Sequence, residues 1–213
     1  GSFVVFAILF TLGVGAPLFS PHNPYDSAAI DVMDSEMPPV WMEGSDNRFL
    51  LGTDAQGRCM FSTMLYGLRV SLVIGLGAVL LQAGIGIIIG LISGYGGKRL
   101  DAFFMRVADV QLSFSTYMVA IFIGAIFKAA FGVGKYAEVA VPLLIIVIGL
   151  AEWPQYARTV RASVLGEKKK EYVEAARVIG LPAKRIMWRH ILPNTLTPVL
   201  VISTVQVANA IMS

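Results

Sequence analysis

Hydrophobic positions in this chain gather into long runs where a soluble helix would show only a stripe. Phe3 to Phe19, Val70 to Ile92, Val110 to Phe127, Val139 to Ala157 and Thr195 to Met212 are almost continuously apolar. A helix of about 20 such residues crosses the hydrocarbon core of a bilayer. The pattern therefore predicts an all-α, polytopic transmembrane helix bundle with five spans. The first run is short, Phe103 to Asp109 forms a charged lead-in to the third, and Glu152 with Pro154 interrupts the fourth near its inner end.

Between the runs the pattern changes character twice. Residues 20–69 are polar and turn-rich: Pro21, Pro24, Pro38 and Pro39 break helices, and Asp26, Asp31, Asp34, Glu36, Glu43, Asp46 and Asp54 make the stretch acidic. A structureless loop of that length is uncommon in a compact domain, so a small ordered cap is expected. The second change is Lys170 to Asn194, the longest charged, helix-forming interval between two apolar runs. Glu171 and Glu174 suit the positive end of a helix, and Gly180 followed by Pro182 supplies a stop. Lys170 to Ile179 thus reads as a helix of about three turns. Tyr172, Val173, Ala176 and Ile179 share one apolar stripe, too small to form its own core. It needs either the body of the protein or a partner's groove.

Composition agrees with a membrane protein. Hydrophobic residues make up 56% of the 213 and charged ones 15%, and the mean hydropathy is +0.70, far from the soluble balance. The net charge of +3 is modest, so nucleic acid explains it poorly and topology explains it better. If the first helix runs outward, the inner segments hold twelve bases: Lys98, Arg99, Arg106, Arg158, Arg161, Lys168, Lys169, Lys170, Arg177, Lys184, Arg185 and Arg189. The outer segments hold five: Arg48, Arg58, Arg69, Lys128 and Lys135. The inner excess assigns residues 158–194 to the cytoplasm. The expected organisation is a first transmembrane helix over 1–19, an outer, periplasmic loop over 20–69 and a membrane core over 70–213. The single cysteine, Cys59, forms no internal disulfide. An opening Gly-Ser and a stop at Ser213 inside an apolar run make both ends read as cut.

Two sets of residues carry a family resemblance. Glu174-Ala175-Ala176, then Gly180, Arg185 and Arg189-His190-Ile191-Leu192-Pro193-Asn194, resemble the EAA loop of permease subunits of binding-protein-dependent ABC importers. Leu51-Gly52-Thr53-Asp54, Gly57-Arg58, Ser62, Tyr66-Gly67, Arg69 and Ser71-Leu72 are similar to the C-type permease subunit of dipeptide and oligopeptide importers. Cys59 departs from that pattern, which commonly has an acid after Gly-Arg. The resemblance implies a type I importer fold in the bacterial inner membrane, with a sixth helix returning inside. It implies that Tyr172, Val173, Glu174, Ala175, Ala176, Arg177 and Gly180 form a coupling helix in a cleft of a cytoplasmic ATPase. The implied partners are a second homologous permease subunit, two P-loop ATPases that bind ATP and Mg, and a periplasmic substrate-binding protein. Related permeases serve di- and oligopeptides, and some relatives carry nickel or glutathione.

The remaining residues bear on chemistry. Ser93 to Asp101 looks like a phosphate loop, but Gly97-Lys98 is followed by Arg99 and Ile92 stands where the first Gly is needed, so the chain is expected to bind no nucleotide itself. No metal spacing is visible, and His22 and His190 fall on opposite sides of the bilayer. Gly86, Gly90 and Gly94 lie four apart and permit close helix packing, within this bundle or against a second subunit. Gln82 should face protein or water. Arg106 and Asp109 suit an intrahelical ion pair. Glu152 needs a partner, with Arg158 or another subunit's base as candidates. Ser113, Ser115, Thr116 and Tyr117 suit either a wet path or bonds back to the helix backbone. Gln206 and Asn209 are the leading candidates for a translocation path, ahead of Ser113. A self-sufficient secondary transporter would need more ionisable groups in the spans than Glu152 alone.

Overall fold

The computed structural model describes residues 2–20, 32–42 and 45–212. Pro21, His22, Pro24, Asp26, Asp31 and Glu43 lie outside the described residues. Helices form every long element, since a lipid solvent offers no partners for unpaired backbone groups. They are α1 (Ser2–Val14), α2 (Ala16–Phe19), α3 (Met60–Gly96), α4 (Lys98–Leu112), α5 (Thr116–Glu167), α6 (Glu171–Val178), α7 (Ala183–Ile186) and α8 (Leu192–Met212). A π-helical turn over Met187–Ile191 makes α7 and α8 continuous. Among the described residues α3, Val139–Glu167 of α5 and Ala183–Met212 are long and apolar enough to cross a membrane. The pair Lys98–Leu112 and Thr116–Gly132, bent by 78°, adds a fourth if it counts as one span. Helix α1 is apolar but has 13 described residues.

The chain divides into two compact units, Gly1–Val73 and Ile74–Ser213. In the first, the polar stretch before α3 is ordered around Thr53. Its hydroxyl accepts from the Met37 amide at 2.9 Å and donates to the Asp34 carbonyl, while its own amide donates to the Met37 carbonyl at 3.1 Å. Asp54 accepts the amides of Gln56 and Arg58, both at 2.9 Å, and the Arg58 side chain at 2.9 Å. Cys59 is buried and pairs with Thr53 in an isolated bridge. The Thr63 amide and hydroxyl both reach the Cys59 carbonyl at 3.0 Å, so the chain is already helical from Met60. Residues 60–69, expected as loop, belong to α3.

The second unit is a bundle built on α3, α5 and α8. The glycine row left open by the sequence is used inside the chain. A β-carbon at Gly90 would lie 2.7 Å from both the Ala157 carbonyl oxygen and Val160 Cβ, and one at Gly94 would lie 2.8 Å from Val164 Cβ. The core there joins Leu91, Tyr156, Val160 and Val164 to Val173, Ala176, Ile186, Ile191 and Val199.

Two expected boundaries move. The third span is not one helix: α4 stops at Leu112, the Ser113 and Phe114 amides turn back to Val110 and Gln111 at 3.1 and 3.2 Å, and Ser115 adopts extended backbone before α5 begins. A serine cluster offers the backbone such alternatives. The fourth span's helix runs on through Tyr156 to Arg161, as expected of that stretch, and reaches Glu167 with Pro154 fully buried. Neighbouring helices make a proline tolerable there. The helix kinks at Gly132, with φ 82° and ψ 165°, and the expected 128–138 loop is helical on both sides of that glycine.

Candidate functional site

Helix α6 is fixed on one side and bare on the other. Val173 and Ala176 are buried against the core. The Tyr172 hydroxyl donates to the Glu167 carboxylate and receives the Asn194 amide at 3.2 Å, and that amide also reaches the His190 carbonyl at 2.9 Å. Burial, then the Glu167 carboxylate, push the Tyr172 hydroxyl above its ordinary pKa, so it remains a donor. Lys170 pairs with Glu167 at 2.6 Å. The Tyr95 ring takes the Lys168 ammonium at 5.3 Å and the Arg177 guanidinium at 5.7 Å, within cation–π range. At the far end the Gly180 amide reaches the Arg177 carbonyl at 2.9 Å and the Leu181 amide reaches that of Ala176 at 3.1 Å. That Schellman pair needs left-handed backbone, which Gly180 supplies with φ 82°. Glu174, Ala175, Val178 and Ile179 are left exposed, Val178 at 89% and Ile179 at 76%.

Between α3, α5 and α8 lies a cavity of about 420 Å³ that is open on one side, where Phe114, Tyr117 and Met212 are exposed. Gln82 of α3, Ser115, Thr116 and Tyr117 around the helix break, Ile148, Ala151, Glu152 and Gln155 of α5, and Gln206, Asn209, Ala210 and Met212 of α8 line it. The Glu152 oxygens accept from the Thr116 hydroxyl and the Gln155 amide. Asn209 donates to the Gln206 oxygen at 2.8 Å. The amide oxygen of Gln82 is buried without a hydrogen-bond partner. A separate cluster ties α3, α4 and α5 together, in which Asp101 takes both the Arg161 guanidinium and the Ser93 hydroxyl.

A family model described as the binding-protein-dependent transport system inner membrane component matches residues 86–213, a stretch that holds α6 and most of the cavity wall. The chain belongs to that family. Among curated relatives of this transport component is the di/tripeptide transport system permease protein DppC of Pseudomonas aeruginosa, 34% identical over 98% of the chain and 63% of the relative. The dipeptide transport system permease protein DppC of Haemophilus influenzae is 33% identical over 96% and 65%. The oligopeptide transport system permease protein OppC of Bacillus subtilis is 31% identical over 99% and 63%. The chain thus spans less than two thirds of the length of these relatives. The helical membrane fold expected from the apolar runs and the family expected from the motifs both hold.

Individual residues fall unevenly. Of the residues expected to couple, Val173 and Ala176 face the chain's own core, Glu174, Ala175 and Gly180 are exposed, Arg177 is exposed but lies over the Tyr95 ring, and Tyr172 sits at the edge. Gln206 and Asn209 meet in the cavity. Ser113 does not: it is exposed and its hydroxyl donates back to the Asp109 carbonyl at 2.9 Å. Neither expected ion pair forms. Glu152 and Arg158 are six residues apart, about 240° around a helix, so they face different ways. Arg158 instead reaches Asp109 at 2.5 Å, displacing the expected Arg106. Sequence reasoning assigned no role to Tyr95, Glu167 or Asn194 in holding α6. The Glu167 to Tyr172 spacing of five was a usable local signal, whereas Asp101 and Arg161, 60 residues apart, left none.

Proposed function

We propose that this chain is the permease subunit of an ATP-driven ABC importer for di- and oligopeptides in the bacterial inner membrane. Residues 158–194 face the cytoplasm, and α6 docks on one of two separate P-loop ATPases, which hold the ATP and Mg. A second homologous permease completes the pathway, and a periplasmic binding protein delivers the cargo. This chain contributes no catalytic residue. The observation that carries the reading is the two-sidedness of α6: an inner face locked into the bundle and an outer face that leaves Val178 and Ile179 bare beside Glu174. Bare apolar side chains at the end of a rigid helix suit a partner's groove. The names of the curated relatives support the cargo class.

Force would pass through identified contacts. A push on α6 reaches α5 through Tyr172 and Glu167, α8 through Asn194, and the end of α3 through Arg177 on Tyr95. Rigid-body rocking of such connected helices opens a path alternately to either side. The test is the importer purified with its ATPases. Glu174→Arg is expected to abolish ATP-driven peptide uptake while membrane insertion is retained, and Ala175→Cys to crosslink to an ATPase cysteine. Normal uptake by Glu174→Arg, or an α6 in contact only with lipid and water in the assembled complex, would sink the proposal.

A further inference from the structure

Glu152 stands in the cavity wall, and no base among the described residues pairs with it. Its oxygens meet only the neutral donors Thr116 and Gln155, and Arg158 is engaged by Asp109. An acid inside a membrane span is expensive and marks a functional position. The same wall holds Gln82, 1% exposed, whose amide oxygen has no donor. A carboxylate offers about four lone-pair sites, of which these contacts use two. The cavity wall therefore offers a carboxylate with open lone pairs and one unpartnered amide oxygen. Its volume of about 420 Å³ far exceeds the about 30 Å³ that a water occupies in the liquid, which leaves room for one end of a small organic molecule.

The geometry points to a binding site for a protonated primary amine, the amino terminus of the transported peptide, with Glu152 as counter-charge and Gln82 as a further acceptor. This rests on the permease reading and adds the group that the membrane path recognises. An ammonium brings a positive charge and three donors, which answer the Glu152 carboxylate and the Gln82 oxygen. A peptide's carboxylate end would meet the like charge of Glu152.

The test uses the importer assembled with its ATPases in proteoliposomes, without ATP, carrying Cys59→Ala and Ser115→Cys so that this chain's one thiol stands in the cavity wall. Modification of that thiol by the cationic aminoethyl methanethiosulfonate is compared with modification by neutral methyl methanethiosulfonate, and read by mass spectrometry of this chain. The cation is expected to react in preference by about tenfold, a ratio that a modest favourable interaction supplies. Glu152→Gln should erase the preference and Glu152→Asp should retain it. Trialanine should protect the thiol and N-acetyl-trialanine should not. An unchanged preference in Glu152→Gln, equal protection by the two peptides, or a thiol that neither reagent reaches because protein fills the cavity would each overturn the assignment. None of these readouts depends on ATP-driven uptake, so failure of the coupling proposal at Glu174→Arg is scored separately.

Discussion

Beside α6 the acid Glu167 is shared between the Lys170 ammonium and the Tyr172 hydroxyl, whereas in the cavity the acid Glu152 meets only the hydroxyl of Thr116 and the amide of Gln155. Both acids are hydrogen-bonded, but only the first is neutralised. At the polar end of the bundle a balanced pair, shared with Tyr172 and Asn194, serves to hold one helix in one orientation. Inside the apolar bundle an unbalanced acid is costly to keep, and a cavity with an orphaned Gln82 oxygen alongside it is poorly explained by stability. The contrast separates a site built to be rigid from a site built to receive something.

The comparison can be broken most severely at the seam both regions share. Gly86→Leu would drive a side chain into Tyr156 Cβ, with the Ala157 amide nitrogen 3.0 Å from its β-carbon. Overpacking of this kind costs about 1–3 kcal/mol or more, and thermal unfolding in detergent should show α6 and the cavity destabilised together; a wild-type melting curve would refute the packing. Gln82→Leu should act in the opposite sense. Removing an unsatisfied buried acceptor should raise stability by about 1 kcal/mol, while the cation preference at Ser115→Cys falls. Unchanged or lower stability would mean that the Gln82 oxygen is already satisfied. Tyr172→Phe should lose about 1 kcal/mol from the hydroxyl shared by Glu167 and Asn194. Hydrogen exchange should then quicken over Glu171–Val178 with cavity modification unaltered, and a parallel change at both places would erase the distinction between them.

The smallest expected effect lies in the polar stretch before α3. Burial raises the Asp54 carboxyl, but the amides of Arg58 and Gln56 and the Arg58 side chain outweigh it and hold it below the usual carboxylate range. A depressed folded value stabilises the charged form, so its contribution is present above an unfolded pKa of about 3.9 and is lost as the pH falls below that. Exchange at the Gln56 and Arg58 amides should therefore lose protection in acid once its intrinsic pH dependence is removed, and Asp54→Asn should abolish that loss.

Much of the bundle was legible because its signals are local. The ends of α6 followed from the acids in its first turn and from Gly180, and the structure places the helix at Glu171–Val178 with Gly180 left-handed. The start of α3 was read ten residues late, at Val70, because Met60 to Arg69 carries polar and glycine residues that a hydropathy pattern assigns to a loop. The interruption at Ser113 to Ser115 was present as a serine cluster, but the apolar run around it outweighed the signal. Of the proposed path, Gln206 and Asn209 were found as polar residues in an apolar run, while Gln82 and Glu152 were noticed singly and never placed together.

The sequence by itself determined that the fold is helical and suits a membrane and where the charged helix α6 stops, because apolar runs, capping signals and glycines act over a few residues. The tertiary structure alone decided that Arg158 answers Asp109 and not Glu152, that the glycine row meets α5 of the same chain, and that Gln82, Glu152 and Gln206 open on one cavity. Those outcomes depend on how far each helix is rotated and how deep it sits against its neighbours. The packing of the whole bundle sets both, and no stretch of ten or twenty residues contains them.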